Sequence, residues 1–259
     1  METVALEVHD GVGELVLNRP KKLNAMNAQF FEELPMAVDQ LEAEPAVRVI
    51  VIRANGPHFS AGLDIYDMTP GSQEIQTAKD IEPLQRGFLA LANCSKPTIA
   101  AVNGYCIGGG LDLVAACDIR MASQSATFSL REVRIGIVAD LGSLILLADV
   151  VPYPILAEIA LTGRDVDANE ALRVGLIQRL CATPEELTQT VSLLAQQLSG
   201  NPPLAVQATK RLLVRQRSQR LIQHLQLAAS DNVALMQTQD MREALNALAE
   251  KRPPHFRGV

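Results

Sequence analysis

The chain has 259 residues, of which 48% are hydrophobic and 20% charged, and its net charge is −6. This composition predicts one large domain with a sizeable core, and the acidic balance argues against non-specific binding to nucleic acid, whose phosphates favour an excess of Lys and Arg. The longest apolar runs are too short to span a bilayer and no amino-terminal signal is recognisable. We therefore expect a soluble, cytoplasmic protein that does not contact a membrane.

The residues that could bind metal or phosphate are scattered or weakly patterned. The four cysteines lack a C-x-x-C pair and the four histidines are dispersed. No metal site or disulfide framework is predicted, which fits a reducing compartment. One basic run on a predicted helix is interpreted as a solvated helix face and not as a phosphate contact. It comprises Lys210, Arg211, Arg215, Arg217 and Arg220.

The first half of the chain alternates strand and helix patterns, which predicts the α/β class. A hairpin is predicted at Asp10-Gly11, because this dipeptide readily adopts positive φ. The β-branched run over 47–54 is typical of a central strand covered on both faces. A polar, turn-rich segment over 68–76 predicts a mobile flap. Strands are predicted over 4–8, 13–17, 47–54, 98–102, 119–122 and 127–129, and helices over 28–44, up to about 93, and 111–117.

From residue 139 onward only helices are predicted. The sequence Thr183-Pro184-Glu185-Glu186 is a capping box with Pro at the first helical position, and Gly200 closes that helix. Further helices are predicted over 204–216, 219–237 and 240–250. This pattern divides the chain into a mixed core over 1–200 and a helical region over 201–259.

Three successive glycines, Gly108–Gly110, follow the predicted strand over 98–102, and we call them the glycine turn. Glycines between a strand and a helix expose backbone N–H groups at a helix N-terminus, which suits an anion, although a turn that needs only flexibility looks the same. The spacing does not match a dinucleotide fingerprint, a phosphate loop or a serine-hydrolase elbow.

Three carboxylates lie within or shortly after the helix that follows the glycine turn: Asp112, Glu132 and Asp140. Each also has a purely structural explanation. Asp112 lies in a first helical turn, where the helix dipole favours it, and Asp140 precedes a predicted helix that it could cap. Glu132 could pair with Arg131 or Arg134 on the surface.

Several separated motifs resemble those of the crotonase superfamily, the enoyl-CoA hydratase/isomerase family, in order and nearly along the whole chain. They are FSAGLD (59–64), NGYCIGGG (103–110), LTGR (161–164) and EKRPPHF (250–256). The resemblance implies a spiral core of ββα repeats with a C-terminal helical trimerisation region. It also implies an acyl-CoA substrate, whose coenzyme A is part of the substrate so that no separate cofactor is expected, and a homotrimer or hexamer.

The resemblance also implies site residues. An acyl thioester that reacts at its α-carbon becomes an enolate, and two backbone N–H groups stabilise the oxyanion. By the resemblance these belong to Ala61 and Gly109. Substrate-binding positions are implied at Lys21, with Lys22 beside it, and at Ser60, Gly62, Leu63, Asp64 and Gly108.

Together, Asp112, Glu132 and Asp140, spaced by twenty and eight residues, resemble the set in dienoyl-CoA isomerases, which convert 3,5-dienoyl-CoA to 2,4-dienoyl-CoA. An alternative is a hydratase that uses Glu132 with Asp112, although Asp is one methylene shorter than the Glu that hydratases carry there, and near-attack geometry penalises such a shift. The third alternative is a non-catalytic relative that binds acyl-CoA or RNA.

Overall fold

A computed structural model of the chain describes residues 1–65 and 76–259. Within these ranges the chain forms two β-sheets flanked by helices, so the predicted α/β class is confirmed. The flap predicted over 68–76 lies, apart from Gln76, outside the described residues. In the described ranges, no helix is both long enough and apolar enough to cross a membrane.

The larger sheet has the order β1-β2-β3-β4-β6-β9, and only its first pair is antiparallel. The strands in chain order are β1 Val4–His9, β2 Val12–Leu17, β3 Val49–Ala54, β4 Thr98–Val102, β5 Tyr105–Ile107, β6 Ile119–Ser123, β7 Thr127–Ser129, β8 Asp165–Asp167 and β9 Arg179–Cys181. The hairpin at Asp10-Gly11 is confirmed, with φ values of 48° and 81° that match a two-residue hairpin turn.

The helices begin and end as follows: α1 Ala28–Ala43, α2 Ala78–Asn93, α3 Gly109–Ala116, α4 Ser143–Leu147, α5 Tyr153–Thr162, α6 Ala168–Arg173, α7 Pro184–Ser199, α8 Pro203–Leu235 and α9 Gln239–Ala249. The predicted cap of α7 is confirmed, because the Thr183 side chain accepts a hydrogen bond from the Glu186 amide. Two short 3₁₀ turns, Pro20–Lys22 and Glu132–Ile135, complete the helical elements in the described ranges.

The larger sheet is covered on both faces, as the β-branched run in β3 predicts. Ile50 and Ile52 pack in the cluster that contains α1 and α2, whereas Val49 and Val51 pack in the cluster that contains α7. The alternation follows from the two-residue period of a strand. Burial of each such side chain contributes about 1.5–3 kcal/mol.

The smaller sheet, β5-β7-β8, lies beside the glycine turn and corrects one prediction. Residues after 139 were expected to be helical only, but β8 pairs antiparallel with β7, and β9 joins the larger sheet beside β6. Both are three-residue strands, too short to show a two-residue hydrophobic period, and β8 reads Asp-Val-Asp. Their pairing is therefore decided by tertiary neighbours and not by local pattern.

The C-terminal helices also differ from prediction. The helices expected over 204–216 and 219–237 are one continuous helix, α8, of 33 residues. No Gly or Pro interrupts it between residues 204 and 235, and the Ser218 hydroxyl donates back to the Val214 carbonyl without ending the helix. The division of the chain into 1–200 and 201–259 stays a prediction.

The sequence predicts that the basic run on α8 is a solvated helix face, but three of its residues make specific contacts with the core or its surface. Lys210 is buried, and its Nζ lies 2.7 Å from Asp118 Oδ2 and donates to the Lys96 carbonyl at 2.6 Å. Arg217 donates to main-chain carbonyls at the end of α3, and Arg220 pairs with Asp149. A buried ammonium is stable only when it is paired and hydrogen-bonded, so Lys210 must keep its partners in the core. These contacts therefore anchor α8 to the core.

Candidate active site

The glycine turn connects β5 to α3, and each glycine has a different reason to lack a side chain. Gly108 has a φ of 51°, and a Cβ there would lie 2.9 Å from Glu132 Oε1. A Cβ on Gly110 would lie 2.9 Å from the Ser60 Cβ, so close packing excludes one. Gly109 opens α3, where the first amides of a helix have no intrahelical acceptor. The Gly108 amide donates to the Ser129 carbonyl, whereas the amides of Gly109 and Gly110 have no acceptor among the described residues.

The loop over 60–64 lies against the glycine turn. A Cβ on Gly62 would be 3.4 Å from the Gly109 amide nitrogen. Four of the five amides in this loop already donate hydrogen bonds within the described residues: Ser60 to the Tyr105 carbonyl, Ala61 to the Leu23 carbonyl, Gly62 to the Ser60 hydroxyl and Asp64 to the Met26 carbonyl.

The oxyanion assignment of Ala61 is therefore wrong. The Ala61 amide donates to the Leu23 carbonyl at 2.9 Å and is not available to a substrate. Among the described residues, the Leu63 amide has no acceptor. Leu63 directly follows Gly62, where a Cβ would lie close to the Gly109 amide nitrogen. Leu63, placed by the sequence only among substrate-binding positions, is the loop residue whose amide is free.

Two other predicted substrate-binding side chains are structural. Ser60 is fully buried; its hydroxyl donates to the Asn24 carbonyl and accepts from the Gly62 amide. Asp64 is buried, and its carboxylate accepts from the Arg19 guanidinium at 3.0 Å. Both side chains shape the loop from inside, and the groove-lining roles of Ser60 and Asp64 stay predictions.

Lys21 and Lys22 lie in the exposed 3₁₀ turn after β2. The next residue, Leu23, accepts the hydrogen bond from the Ala61 amide, so the two lysines are close in the chain to the loop over 60–64. Neither is engaged in an ion pair among the described residues. Within the described chain their ammonium groups are therefore open to an anionic ligand.

Asp112 is buried in the first turn of α3, as predicted. Its Oδ1 accepts a hydrogen bond from the Ser143 amide at 2.7 Å, which connects α3 to the start of α4. Burial raises the pKa of the Asp112 carboxyl, hydrogen bonding to Ser143 lowers it, and the charge of Asp140 raises it further. Burial dominates, because the ionised carboxylate is deprived of water.

Glu132 begins the 3₁₀ turn after β7. The alternative in which it pairs with Arg131 or Arg134 on the surface is wrong. Arg131 makes a bidentate contact with Asp165, and Arg134 donates to the Thr162 carbonyl. Glu132 Oε1 faces Gly108, and within the described chain its buried Oε2 has no hydrogen-bond partner. Burial, followed by the charge of Asp112, raises the pKa of the Glu132 carboxyl.

Asp140 does not cap a helix, since α4 begins at Ser143 and its N-cap residue is Gly142. Its neighbour Leu141 lies against the glycine turn, with its Cδ1 3.6 Å from where a Gly109 Cβ would be. Burial raises the pKa of Asp140 to about 6, and Asn232 on α8 lowers it through hydrogen bonding. The structure therefore leaves Asp140 with no part in capping a helix.

The three predicted carboxylates are brought together around the glycine turn. The charges of Asp140 and Asp112 each raise the pKa of a neighbouring carboxyl in this group. Since the titrations interact, a proton belongs to the group and not to one residue. Burial raises the pKa of all three carboxyls, so they can exchange protons closer to neutral pH than ordinary carboxyls do, which is a requirement for moving a proton from one carbon to another.

The fold and these carboxylates point to an enzyme of the enoyl-CoA hydratase/isomerase class. The family profile described as enoyl-CoA hydratase/isomerase matches residues 7–259, and the chain belongs to this family. It is 38% identical, over 99% of its length and 96% of the relative's, to the peroxisomal Delta(3,5)-Delta(2,4)-dienoyl-CoA isomerase of Arabidopsis thaliana.

Two solved structures are also similar. The enoyl-CoA hydratase/isomerase of Pseudoalteromonas atlantica matches with a TM-score of 0.90 and 28% identity, over 98% of this chain and all of that one. A putative enoyl-CoA hydratase of Thermobifida fusca, solved in complex with acetoacetyl-CoA, matches with a TM-score of 0.76 and 32% identity, over 88% of this chain and 94% of that one. The crotonase-like fold implied by the sequence is confirmed.

Proposed function

We propose that the protein is a dienoyl-CoA isomerase that converts 3,5-dienoyl-CoA to 2,4-dienoyl-CoA. The observation that carries this proposal is the third carboxylate. Asp140 is a partly buried acid with a raised pKa and no part in capping a helix, beside the Glu132 and Asp112 pair that a hydratase would use. A buried carboxylate is costly to keep unless it is used or paired.

The proposed reaction moves one proton out and one in. Glu132 removes a proton from C2, and the electron pair of that C–H bond enters the conjugated system, giving a trienolate whose charge reaches the thioester oxygen. Asp140 donates its proton to C6, so the double bonds come to lie at C2–C3 and C4–C5. Glu132, now protonated, and Asp140, now ionised, return to their starting forms by exchange with solvent.

The oxyanion would be held by two backbone amides, those of Gly109 and Leu63. Leu63 replaces Ala61 in this proposal because the Ala61 amide is already donated to Leu23. Two donors fixed beforehand act on the charge that develops in the transition state, and the loss of one costs about 3 kcal/mol in other enzymes. Asp112 would act through its charge, since it raises the pKa of Glu132.

The acyl-CoA substrate is supported by the acetoacetyl-CoA complex of the Thermobifida fusca relative. The exposed Lys21 and Lys22 would contact the phosphates of coenzyme A, as an exposed ammonium can do at little desolvation cost. No further cofactor is required by the proposed reaction, because every proton and electron pair is supplied by the substrate and the carboxylates.

Diene spectroscopy tests this function directly. Conjugation of the diene with the thioester creates a new ultraviolet absorbance, whereas hydration of a 2-enoyl-CoA removes one. We expect the purified protein to raise absorbance with 3,5-dienoyl-CoA and to leave 2-enoyl-CoA largely unchanged. Loss of absorbance with 2-enoyl-CoA, without any change in the dienoyl substrate, would support the hydratase instead. No change with either substrate would support a non-catalytic binding protein.

We also propose a homotrimer or hexamer. Large apolar side chains of α8 are exposed on the single chain, among them Leu204, Leu212, Leu213 and Leu227. Their burial between copies would be favourable, because each removes apolar surface from water. Light scattering at micromolar concentration checks this, and a monomer would contradict it.

A cytoplasmic location remains part of the proposal, since the four cysteines are free and buried, which fits a reducing compartment.

A further inference from the structure

Asp140 lies on a segment that has little regular support of its own. Within the described chain, residues 137–142 belong to no helix or strand; we call them the Asp140 segment. A backbone without ladder hydrogen bonds must find its partners elsewhere. At Val138 and Asp140 the Asp140 segment finds them in side chains of two helices, α8 and α2.

The first support is Asn232 on α8, which is fully buried. Its Oδ1 accepts from the Val138 amide at 2.8 Å, and its Nδ2 donates to the Val138 carbonyl at 2.9 Å. One side-chain amide thus holds both polar groups of a residue two positions before Asp140, as a neighbouring strand would. The Asn232 side chain also lowers the pKa of the Asp140 carboxyl.

The second support is Gln85 on α2, which is also buried. Its Nε2 donates to the Asp140 carbonyl at 2.7 Å and to the Leu225 carbonyl of α8 at 3.1 Å. Gln85 therefore connects three parts of the molecule: α2, α8 and the backbone of Asp140 itself. A buried side-chain amide is costly unless it is hydrogen-bonded, and each of these two amides bonds the backbone of the Asp140 segment.

These contacts fix where the Asp140 carboxylate can be. A carboxylate that donates a proton to C6 must reach that carbon within hydrogen-bonding distance while Glu132 reaches C2. A displacement of about 1 Å from productive geometry can cost about 10²-fold in rate. The burial of Asn232 and Gln85 on packed helices limits such displacement more than a surface loop could.

We propose that Asn232 and Gln85 are positioning residues that hold the Asp140 segment in place for proton return at C6, so that the C-terminal helix α8 controls the second half of the reaction. This inference rests on the proposed isomerase function. Neither residue transfers a proton: Gln85 acts through the Asp140 carbonyl, and Asn232 acts through the amide and carbonyl of Val138.

The test compares two readouts in deuterated water: exchange of the C2 proton, which needs only Glu132 and the oxyanion donors, and complete isomerisation, which also needs Asp140. For Asn232→Leu and Gln85→Met we expect isomerisation to fall by about 10²-fold. C2 exchange should stay within about threefold of wild type, since the glycine turn and Glu132 are untouched. A merely structural role would lower both readouts together.

Arg217→Met is the matched control on the same helix. Arg217 also joins α8 to main-chain carbonyls, but at the far end of α3 and away from the Asp140 segment. We expect it to leave the ratio of the two readouts at the wild-type value. Thermal unfolding of each variant shows whether it is folded, and Gln85→Met keeps the test usable if Asn232→Leu is not.

The outcomes separate the inference from the function on which it rests. If Asp140→Asn loses isomerisation selectively but the Asn232 and Gln85 variants lower both readouts equally, or neither, the positioning role is overturned and the isomerase function stands. If wild type does not isomerise 3,5-dienoyl-CoA, the proposed function fails first. A selective loss of isomerisation in both positioning variants supports the inference.

Discussion

The oxyanion side of the site, which comprises the loop over 60–64 and the glycine turn, is built from backbone, whereas the carboxylate side is built from side chains on separate segments. The oxyanion side is fixed by main-chain hydrogen bonds and by glycines with no room for a Cβ. The carboxylate side brings Asp112 on α3, Glu132 on a 3₁₀ turn and Asp140 on an irregular segment into one partly buried group.

This difference assigns the two sides different tasks. Fixed backbone dipoles stabilise charge without reorganisation, so the oxyanion side should serve every reaction that passes through an enolate. In the proposed mechanism the carboxylates decide where protons leave and arrive, and therefore which reaction follows. Changes on the oxyanion side should abolish all chemistry, whereas changes on the carboxylate side should separate one proton transfer from the other.

The largest expected effect is on the oxyanion side. Gly109→Val places methyl groups toward Met26 Sδ and Leu141 Cδ1, which are the ends of flexible side chains, so the fold should survive. The side chain would keep the thioester oxygen from the amide, and both C2 exchange and isomerisation should fall by at least about 10²–10³-fold.

Gly200→Val is a suitable control for Gly109→Val, since Gly200 ends α7 with an ordinary φ of −74°. It should leave both readouts near wild type. Retained C2 exchange in folded Gly109→Val would contradict the oxyanion role of this turn and remove the contrast between the two sides.

A smaller effect is expected in the pH dependence on the carboxylate side. Asp112 raises the pKa of Glu132 through its negative charge. Asp112→Asn removes that charge, so ionised Glu132 becomes more stable and its pKa falls. Because Glu132 must be ionised to take the C2 proton, the rising acidic limb of the kcat/KM profile should move to lower pH. An unchanged limb, or one moved to higher pH, would argue against Glu132 as the base.

The smallest expected effect is on stability. The pKa of Asp140 is raised from 3.8 to about 6 by burial, so folding binds a proton, and stability is lost as pH rises through that range. Asp140→Asn has no proton to lose, and its melting temperature should exceed that of wild type by about 5–6 °C above pH 6. Below pH 3.8 the gain should vanish.

Thermal unfolding at several pH values measures this gain, with the exposed Asp39→Asn as the control that should show none. A gain that is equally large at low pH would mean that Asp140 is not destabilised by burial. Together with the activity data, a pH-dependent gain would indicate that the carboxylate side lowers the stability of the fold while serving the reaction, as active sites often do.

The sequence predicts the oxyanion side only in part. The glycine turn is local, and the steric reasons for Gly108–Gly110 can be anticipated from three adjacent glycines. The choice of Ala61 is wrong because the amide that stays free in this loop depends on which carbonyls of 23–26 lie beside it. That pairing is tertiary and has no local signal.

The carboxylate side shows the complementary limit. The spacing of Asp112, Glu132 and Asp140 is visible in the sequence, and the structure removes two competing roles, the cap at Asp140 and the ion pair at Glu132. The sequence gives no sign that Asn232 supports the Asp140 segment, because Asn232 lies 94 residues beyond Val138. An Asn within a helix normally suggests a solvated position, and only its complete burial indicates otherwise.

The most direct test of the account is a parallel assay of wild type and Asp140→Asn with 3,5-dienoyl-CoA and 2-enoyl-CoA. Asn keeps the volume of Asp but cannot donate a proton to C6, so dienoyl isomerisation should fall by about 10²–10⁴-fold while C2 exchange persists. Any activity on 2-enoyl-CoA should be unaffected. Unchanged dienoyl isomerisation in folded Asp140→Asn would contradict the assignment of this protein as a dienoyl-CoA isomerase.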